Sequence, residues 1–518
     1  MKLKEPGLGL QPNVNLRALA RRSVFDCAPA PGWERRSVQR LLTTADRRVV
    51  AILFAIMFIG GADHLVINPT LPQMARDRRI PVELGGLWVT AYALATGIFA
   101  VAFGPISDRL GRRVILELGV VAHTLGLVVC GLAPSFEALV IARFVAGAGA
   151  GLIVTSNASF VGDHFPPQAR AVAMGWVLSG FFSSMILAVP LGAFLSESFG
   201  WRNMFFCLGL ASAAVGAAAV LYLPRPRFEE RTTSLSLQDA LRSYGRLLAD
   251  KRVIGVLLMS ASIGLSMTIF SVYTSPWLEA TFGMSTLERG LMYMVGGPAV
   301  VLGGPLSGAL SNRYGRVPVV VAGSALLSIA LAFMPFSGAF VSSLEPLGAR
   351  VPAAFGIWIS ALPALAIFFI VMGLGSIRAG PFFTLAIEVV PPQSRGAMSA
   401  LRNAFNQGGA AFGAALGGFL WANLRSPYLA ICFMASLIGL LGVAVFFGIG
   451  AIADGRLVAI EGEVAKATRG DAARLLGGSG EYAIITASLT AGNMIAWQQA
   501  IEKRNAEKHP NLKRVALR

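Results

Sequence analysis

The stretch "GPISDRLGRR" (Gly104–Arg113) sits between two long apolar runs, and "GALSNRYGRV" (Gly308–Val317) repeats its spacing 204 residues later. Pro72, at the end of the first apolar run, meets Pro276 at the same offset. A second pair, "DHFPPQAR" (Asp163–Arg170) and "EVVPPQSR" (Glu388–Arg395), repeats at an offset of 225. The chain therefore reads as one unit written twice. The step from 204 to 225 implies about 21 extra residues before the tenth run, placed in "SGAFVSSLEPLGARVPAAFG" (Ser337–Gly356).

The surrounding composition says what is repeated. Of 518 residues, 55% are hydrophobic and 14% charged, against about 45–50% and about 25% in soluble domains. The apolar residues fall in twelve runs: 49–73, 84–104, 114–133, 136–159, 169–195, 202–224, 253–277, 287–311, 316–336, 359–388, 397–423 and 427–452. Runs of about 20 residues match a hydrocarbon core of about 30 Å. Their richness in Gly, Ala, Leu and Phe argues for helices, since barrel strands are about ten alternating residues long. The expected fold is an all-α membrane protein, with twelve transmembrane helices in two six-helix pseudo-repeats around a central cavity. The expected division is a basic tail (1–48), a six-helix bundle (49–224), a linker (225–252), a second six-helix bundle (253–452) and a tail (453–518). A duplicated six-helix unit is typical of secondary transporters, whose substrate site lies where the halves meet.

The net charge of +17 would fit nucleic acid, but membrane proteins collect Lys and Arg in cytoplasmic loops, and no nucleic-acid partner is expected. With the N-terminus inside, Arg109, Arg112, Arg113, Arg170, Arg313, Arg316, Arg395 and the basic linker are cytoplasmic. Fewer cations, among them Arg202, Arg289, Arg350 and Arg425, are then outside. The outer "ARDRR" (Ala75–Arg79) runs against the rule. The expectation is a multi-pass protein of the cell (inner) membrane with both termini cytoplasmic. Arg21-Arg22 is followed by no apolar run, so it is not read as an export signal. Cys27, Cys130, Cys207 and Cys432 are far apart and give neither a zinc spacing nor a disulfide framework.

In "GPISDRLGRR", small Gly104 and Ser107 let helices approach closely, and Asp108 can accept from N–H groups at a helix start. Arg112 and Arg113 suit a lipid phosphate or a carboxylate. The stretch resembles the signature loop between spans two and three of the major facilitator superfamily, Gly-x-x-x-Asp-Arg-x-Gly-Arg-Arg. "ARFVAGAGAG" (Ala142–Gly151) resembles that family's fourth-span Arg-x-x-x-Gly-x-Gly pattern, with Arg143, Gly147, Gly149 and Gly151. "AVPLGAFLSESFGWR" (Ala188–Arg202) resembles its fifth-span antiporter motif, keeping Pro190 and Gly192 but replacing other positions, which weakens the case for export. The resemblance covers roughly residues 45–452 and implies a drug/proton antiporter-like transporter. It implies gating roles for Gly104, Asp108, Arg109, Gly111, Arg112, Arg113, Pro190, Gly192, Asn312 and Arg313. Asn312 stands where Asp108 stands in the first half, so a charge-based gate would be one-sided.

In the first run, "GGADHLVIN" (Gly60–Asn68) puts an acid and a histidine side by side. At about 100° per residue, Gly60, Gly61, Asp63, His64 and Asn68 share one half of the helix, and the other half has no polar side chain. A charge facing lipid is costly, so the polar half is expected to face the interior, onto a wet gap between the halves. Arg143 lies at a similar depth in the fourth run and is the expected partner of Asp63. The pair is a candidate for proton coupling, with His64 sharing the proton, or else a static buried ion pair that fixes packing.

Arg378, in "GLGSIRAGPFF" (Gly373–Phe383), falls near the midplane among glycines and a proline. It is a candidate substrate contact for a carboxylate or phosphate, or else a structural cation. Asn68, Trp88, Tyr92 and Tyr293 are the further candidate substrate contacts; each aromatic is equally at home in a core. Glu117 and His123 in the third run read as packing rather than function.

No Gly-x-x-x-x-Gly-Lys-Ser/Thr loop is present, and four His in the chain do not cluster with Cys into a metal site. No cofactor, no metal and no enzymatic activity are expected. The partners expected are a small-molecule substrate, protons and membrane lipid, with the chain acting as a monomer. The leading function is proton-coupled efflux of drugs or small metabolites by alternating access. Alternatives are proton-coupled uptake of an organic acid or sugar, and a sensor or scaffold that does not transport. Finally, residues 480–518 read as strand, helix, strand and resemble a fragment of a periplasmic sugar-binding protein, too short to bury its own core.

Overall fold

The computed structural model describes residues 44–224, 237–340, 353–390, 394–446, 448, 480–484 and 512–517. The expected tail before residue 44, residues 341–352 of the extra segment and the tail helix after residue 484 lie outside the described residues, as do the side chains of Asp108 and Arg109.

Twelve long helices follow one another: α1 (Thr44–Arg78), α2 (Gly86–Leu110), α3 (Arg112–Leu132), α4 (Phe136–His164), α5 (Pro167–Phe199) and α6 (Trp201–Tyr222), then α7 (Lys251–Phe282), α8 (Thr286–Tyr314), α9 (Arg316–Phe333), α10 (Leu362–Glu388), α11 (Arg395–Asn423) and α12 (Pro427–Phe446). Eleven are long and apolar enough to cross a membrane, by length and composition, among the described residues; α11 is the twelfth, more polar helix. Several run a turn or more beyond the apolar runs, as α4 does to His164 and α5 to Phe199. The extra turns mix polar and apolar residues (Gly162, Asp163 and His164 in α4, Ser196, Glu197 and Ser198 in α5), so hydropathy ends the run before the helix ends. A 35-residue helix such as α1 is about 52 Å long, longer than the apolar core of a bilayer.

The linker is not plain loop. Leu237–Ala249 forms a helix just before α7, with apolar residues spaced for one face. Its Leu247 is buried with Val253, Val256 and Leu257 of α7, and the Tyr244 hydroxyl lies 3.4 Å from the Val101 carbonyl of α2. Before α10, a 3-10 turn at Met334–Phe340 and a short helix at Ala353–Ser360 flank the extra segment.

Glycine sets how closely the helices approach. Gly149 of α4 lies on the backbone of Gly119 and His123 of α3, where an added Cβ would overlap, and Gly126 of α3 meets Ala146 of α4 in the same way. Gly147 lies on the backbone of Tyr92 of α2. Small residues at helix crossings let dispersion act over whole helix faces where the hydrophobic effect between helices is weak. The other face of α3 carries Leu118, Val121, Leu125, Val129 and Leu132, all exposed, an apolar stripe that suits lipid.

The halves meet along α2 with α11 and along α5 with α8. Thr90 of α2 donates to the Ala411 carbonyl of α11 at 3.0 Å, and Gly290 of α8 lies against Ala193 and Pro190 of α5. At the end where α1 turns into α2, polar bonds also cross between the halves. Arg289 Nε donates to the Pro69 carbonyl at 3.2 Å, the Tyr273 hydroxyl to the Glu83 carbonyl at 3.3 Å, and the Leu287 amide to Glu197 at 2.6 Å. Arg76 of α1 forms an ion pair with Glu279 of α7.

Near the C-terminus, Gly480–Ile484 (β1) and Leu512–Leu517 (β2) pair in parallel, Gly480 opposite Leu512 and Tyr482 opposite Arg514.

Candidate functional site

The repeated loops show what their spacing is for. Gly111 and Gly315 join α2 to α3 and α8 to α9 with φ of 93° and 87°, a region that favours glycine. Arg112 donates to Asp163 at 3.1 Å and to the Ser107 hydroxyl at 3.2 Å. In the second half Arg316 forms an ion pair with Glu388. Arg316 follows Arg112 by 204 residues and Glu388 follows Asp163 by 225, the two offsets of the repeat. The charge missing at Asn312 is thus not the whole of the second loop's electrostatics. Asn312 is exposed and cannot replace Asp108 as an anion, but the second half keeps an ion pair from the start of one helix to the end of another. Arg313 lies over Tyr314 instead, and Arg113 pairs with Glu117 at 2.6 Å one turn on. Gly104 faces the Tyr244 hydroxyl of the linker helix. Pro190 and Gly192 are buried in α5, with Gly192 against Val66 of α1.

Deeper in the first half, Asp63, Arg143, His123 and Tyr92 come together from four helices. The Arg143 guanidinium donates to Asp63 Oδ1, and His123 Nε2 lies 3.1 Å from Asp63 Oδ2. Asp63, Arg143 and His123 are 0%, 1% and 1% exposed. The guanidinium also sits over the Tyr92 ring, 4.3 Å from its centroid, a cation–π contact strengthened by exclusion of water. The close seams at Gly147 and Gly149 position the group, since they bring α4 against Tyr92 of α2 and His123 of α3. The carboxylate accepts on both oxygens, as a buried charge requires.

Two expectations change here. Asp63 looks into its own half, onto α3 and α4, rather than onto a gap between the halves. His64 is not the histidine beside it. Adjacent residues on a helix point about 100° apart and do not face each other, so His64 stands at the edge of the group, within electrostatic reach of Arg143 and Asp63, without touching the carboxylate. The His64 ring lies instead near Tyr92 (5.6 Å between centroids) and Phe181 (6.3 Å). His123 was readable only as packing; the signal was that Gly119 and Gly126, four before and three after it, make that face of α3 small and close to a neighbour.

The candidate substrate contacts do not form one cluster. Tyr293 donates to the Ser271 carbonyl at 3.0 Å and interacts with the side chain of Asn68 across the two halves. Trp88 is fully buried against Phe136, and Tyr92 belongs to the Asp63 group. Arg378 is 4% exposed, its backbone near Gly323 of α9. One turn along, Phe382 packs with Val256 and Val320 inside the second half. No ion pair or hydrogen bond joins Arg378 to the other four candidates among the described residues, and its Nε is buried without a partner. In α11, Arg402 lies over the Phe383 ring and Asn406 donates to the Ser260 carbonyl at 3.1 Å. No group of three or more His, Cys, Asp or Glu fit to hold a metal occurs among the described residues.

Comparison with known proteins agrees with the geometry. Residues 53–351 match the Major Facilitator Superfamily. The MFS-type transporter YceJ of Bacillus subtilis is 26% identical over 391 residues, 74% of this chain and 94% of that protein. The multidrug resistance protein Stp of Mycobacterium tuberculosis is 27% identical over 432 residues, 71% of this chain and 75% of that protein. Among solved structures, a D-xylose–proton symporter superposes with a TM-score of 0.61 at 18% identity, over 77% of this chain and 97% of the other. A bacterial homologue of the lysosomal transporter Spinster, in an inward-facing and occupied conformation, gives 0.58 at 17%, over 79% and 97%. A duplicated twelve-helix membrane fold with these loops and this match over more than half its length belongs to the Major Facilitator Superfamily, and the protein is a multi-pass membrane transporter of that family, not an enzyme.

Proposed function

We propose that the protein is a proton-coupled exporter of drugs or small metabolites, working by alternating access, with Asp63 as the coupling acid and Arg143 as its counter-ion. The observation that carries this reading is the fully buried Asp63–Arg143 pair at the meeting of α1 and α4. Ionisable side chains inside membrane helices are expensive and mark ion or substrate pathways. Proton uptake by Asp63 removes the negative charge that holds Arg143. The pair then has two arrangements, which is what coupling a proton to a conformational change needs.

The direction rests on the likeness to a protein named for multidrug resistance. The basic loops further suggest the cell membrane with the N-terminus inside. The crossing bonds near Pro69, Glu83 and Glu279 then lie on the outer side, and the state is closed to the outside. The chain is taken to act as a monomer.

Uptake of an organic acid is the second reading, favoured by buried Arg378, whose Nε lacks a partner. Transport of ethidium in proteoliposomes of both orientations under an imposed pH gradient tests the first reading. Movement driven by the proton gradient, lost in Asp63→Asn with membrane insertion intact, is expected. Gradient-driven transport by Asp63→Asn at the unmodified rate would overturn the assignment.

A further inference from the structure

We infer that His123 of α3 is the proton relay to Asp63. The inference rests on Asp63 being the coupling acid. Its own ground is the contact of His123 Nε2 with Asp63 Oδ2 at 3.1 Å, between side chains 1% and 0% exposed. Arg143 holds Oδ1 and His123 holds Oδ2, and the Tyr92 hydroxyl also interacts with the carboxylate. A guanidinium only donates and is not deprotonated in proteins. Imidazole can take a proton on one nitrogen and give one from the other. The Tyr92 phenol can donate but is too weak a base to take up a proton first, so of the three partners only His123 can both take a proton near neutral pH and hand one to the acid.

The step balances. With Asp63 ionised, Nε2 carries its hydrogen and donates to Oδ2, and Nδ1 is bare. A proton arriving at Nδ1 makes an imidazolium. The Nε2–H bond then breaks as the Oδ2–H bond forms. The pair has gained one proton, His123 is neutral again in its other tautomer, Asp63 is neutral, and Arg143 has lost its counter-ion.

The charged and titratable groups around His123 are few. Asp63 and, at the edge of the group, His64 come from α1, Arg143 from α4 and Tyr92 from α2, its ring under the guanidinium. Cys130 lies two turns along α3 itself and is buried. Helix α6 contributes the uncharged Ser212, 2.7 Å from Thr124. The backbone at His123 lies against Gly149 of α4, which sets the distance of α3 from the helix that carries Arg143.

The test is nuclear magnetic resonance of the full-length protein in nanodiscs, labelled with 15N in histidine and 13C in aspartate side chains, between pH 5 and 9. The four histidines are assigned by His123→Gln. Should that variant not fold, elimination with His64→Gln, His164→Gln and His509→Gln assigns the same signal. The expected result is a change of the His123 tautomer, from Nε2–H to Nδ1–H, at the pH where the Asp63 carboxyl titrates, and its loss in Asp63→Asn. Titration of Asp63 with His123 in one neutral tautomer throughout would sink the relay and leave the coupling acid standing. An Asp63 carboxyl that stays ionised across the range, with the protein folded and active, would sink both.

Discussion

The Arg289 guanidinium, 1% exposed, donates from Nε to the carbonyl oxygen of Pro69 at 3.2 Å, joining the first turn of α8 to the proline-bearing part of α1 in the other half. Its other nitrogens donate to Glu279 at 2.7 Å, to the Met284 carbonyl at 2.9 Å and to Thr286 at 3.0 Å. Glu279 in turn pairs with Arg76 of the first half. One cation thus fastens the two halves and holds the carboxylate that fastens them again. Arg289→Ala is expected to loosen this end. The measurement is labelling of Ser275→Cys, whose native hydroxyl lies 3.4 Å from the same carbonyl, by a membrane-impermeant maleimide. Several-fold faster labelling with Arg289→Ala is expected; an unchanged rate would show that the apolar contacts alone keep this end shut.

Removing one member of the Asp63 group should cost more than removing the pair. Arg143→Ala leaves a buried carboxylate without its counter-ion and is expected to destabilise the protein by about 3–5 kcal/mol, as breaking buried pairs does. Asp63→Asn with Arg143→Gln should cost clearly less than the sum of the single changes, since neither buried charge remains. A thermal-unfolding double-mutant cycle in detergent measures the coupling. Simple additivity would mean that the two side chains do not sense one another.

The seam between α3 and α4 leaves no space for a methyl group. Gly149→Ala places a Cβ against the His123 amide and the Gly119 carbonyl, backbone atoms that cannot move singly. Overpacking of this kind costs about 1–3 kcal/mol. Gly162→Ala on the same helix has nothing within 4 Å and is the control. Thermal stability should fall for the first and hold or rise slightly for the second.

The ion pairs at the repeated loops are partly exposed, with Arg316 and Glu388 at 39% and 49% and Arg112 and Asp163 at 22% and 31%. Such pairs are worth about 0–1 kcal/mol. Glu388→Gln is accordingly expected to leave the unfolding temperature nearly unchanged. If these pairs hold a conformational state, the change appears in transport rate and in its salt dependence. Transport of ethidium by Asp163→Asn and Glu388→Gln, each at low and high salt, measures this.

Much of the fold could be read from the chain because the bilayer is a strong constraint. Apolar runs long enough to cross it have to be helices, since each backbone N–H and C=O must be satisfied within the segment. The two offsets located the repeat, and those same offsets relate Arg112–Asp163 to Arg316–Glu388 in space. The linker helix at Leu237–Ala249 is not legible in the same way, because a short amphipathic segment between long apolar ones has the composition of a polar connection.

The sequence by itself determined the number of spans, their duplication, the loops that join them and the presence of an acid and an arginine at matching depth in α1 and α4. Which side chains those charges touch was decided by the tertiary structure alone. Depth follows from counting residues along one helix, but partners depend on how two helices are rotated and how closely they approach. Glycines at 119, 126, 147 and 149 set that approach here, and a turn of about 100° per residue gives Asp63 to His123 while its neighbour His64 lies near Tyr92 and Phe181.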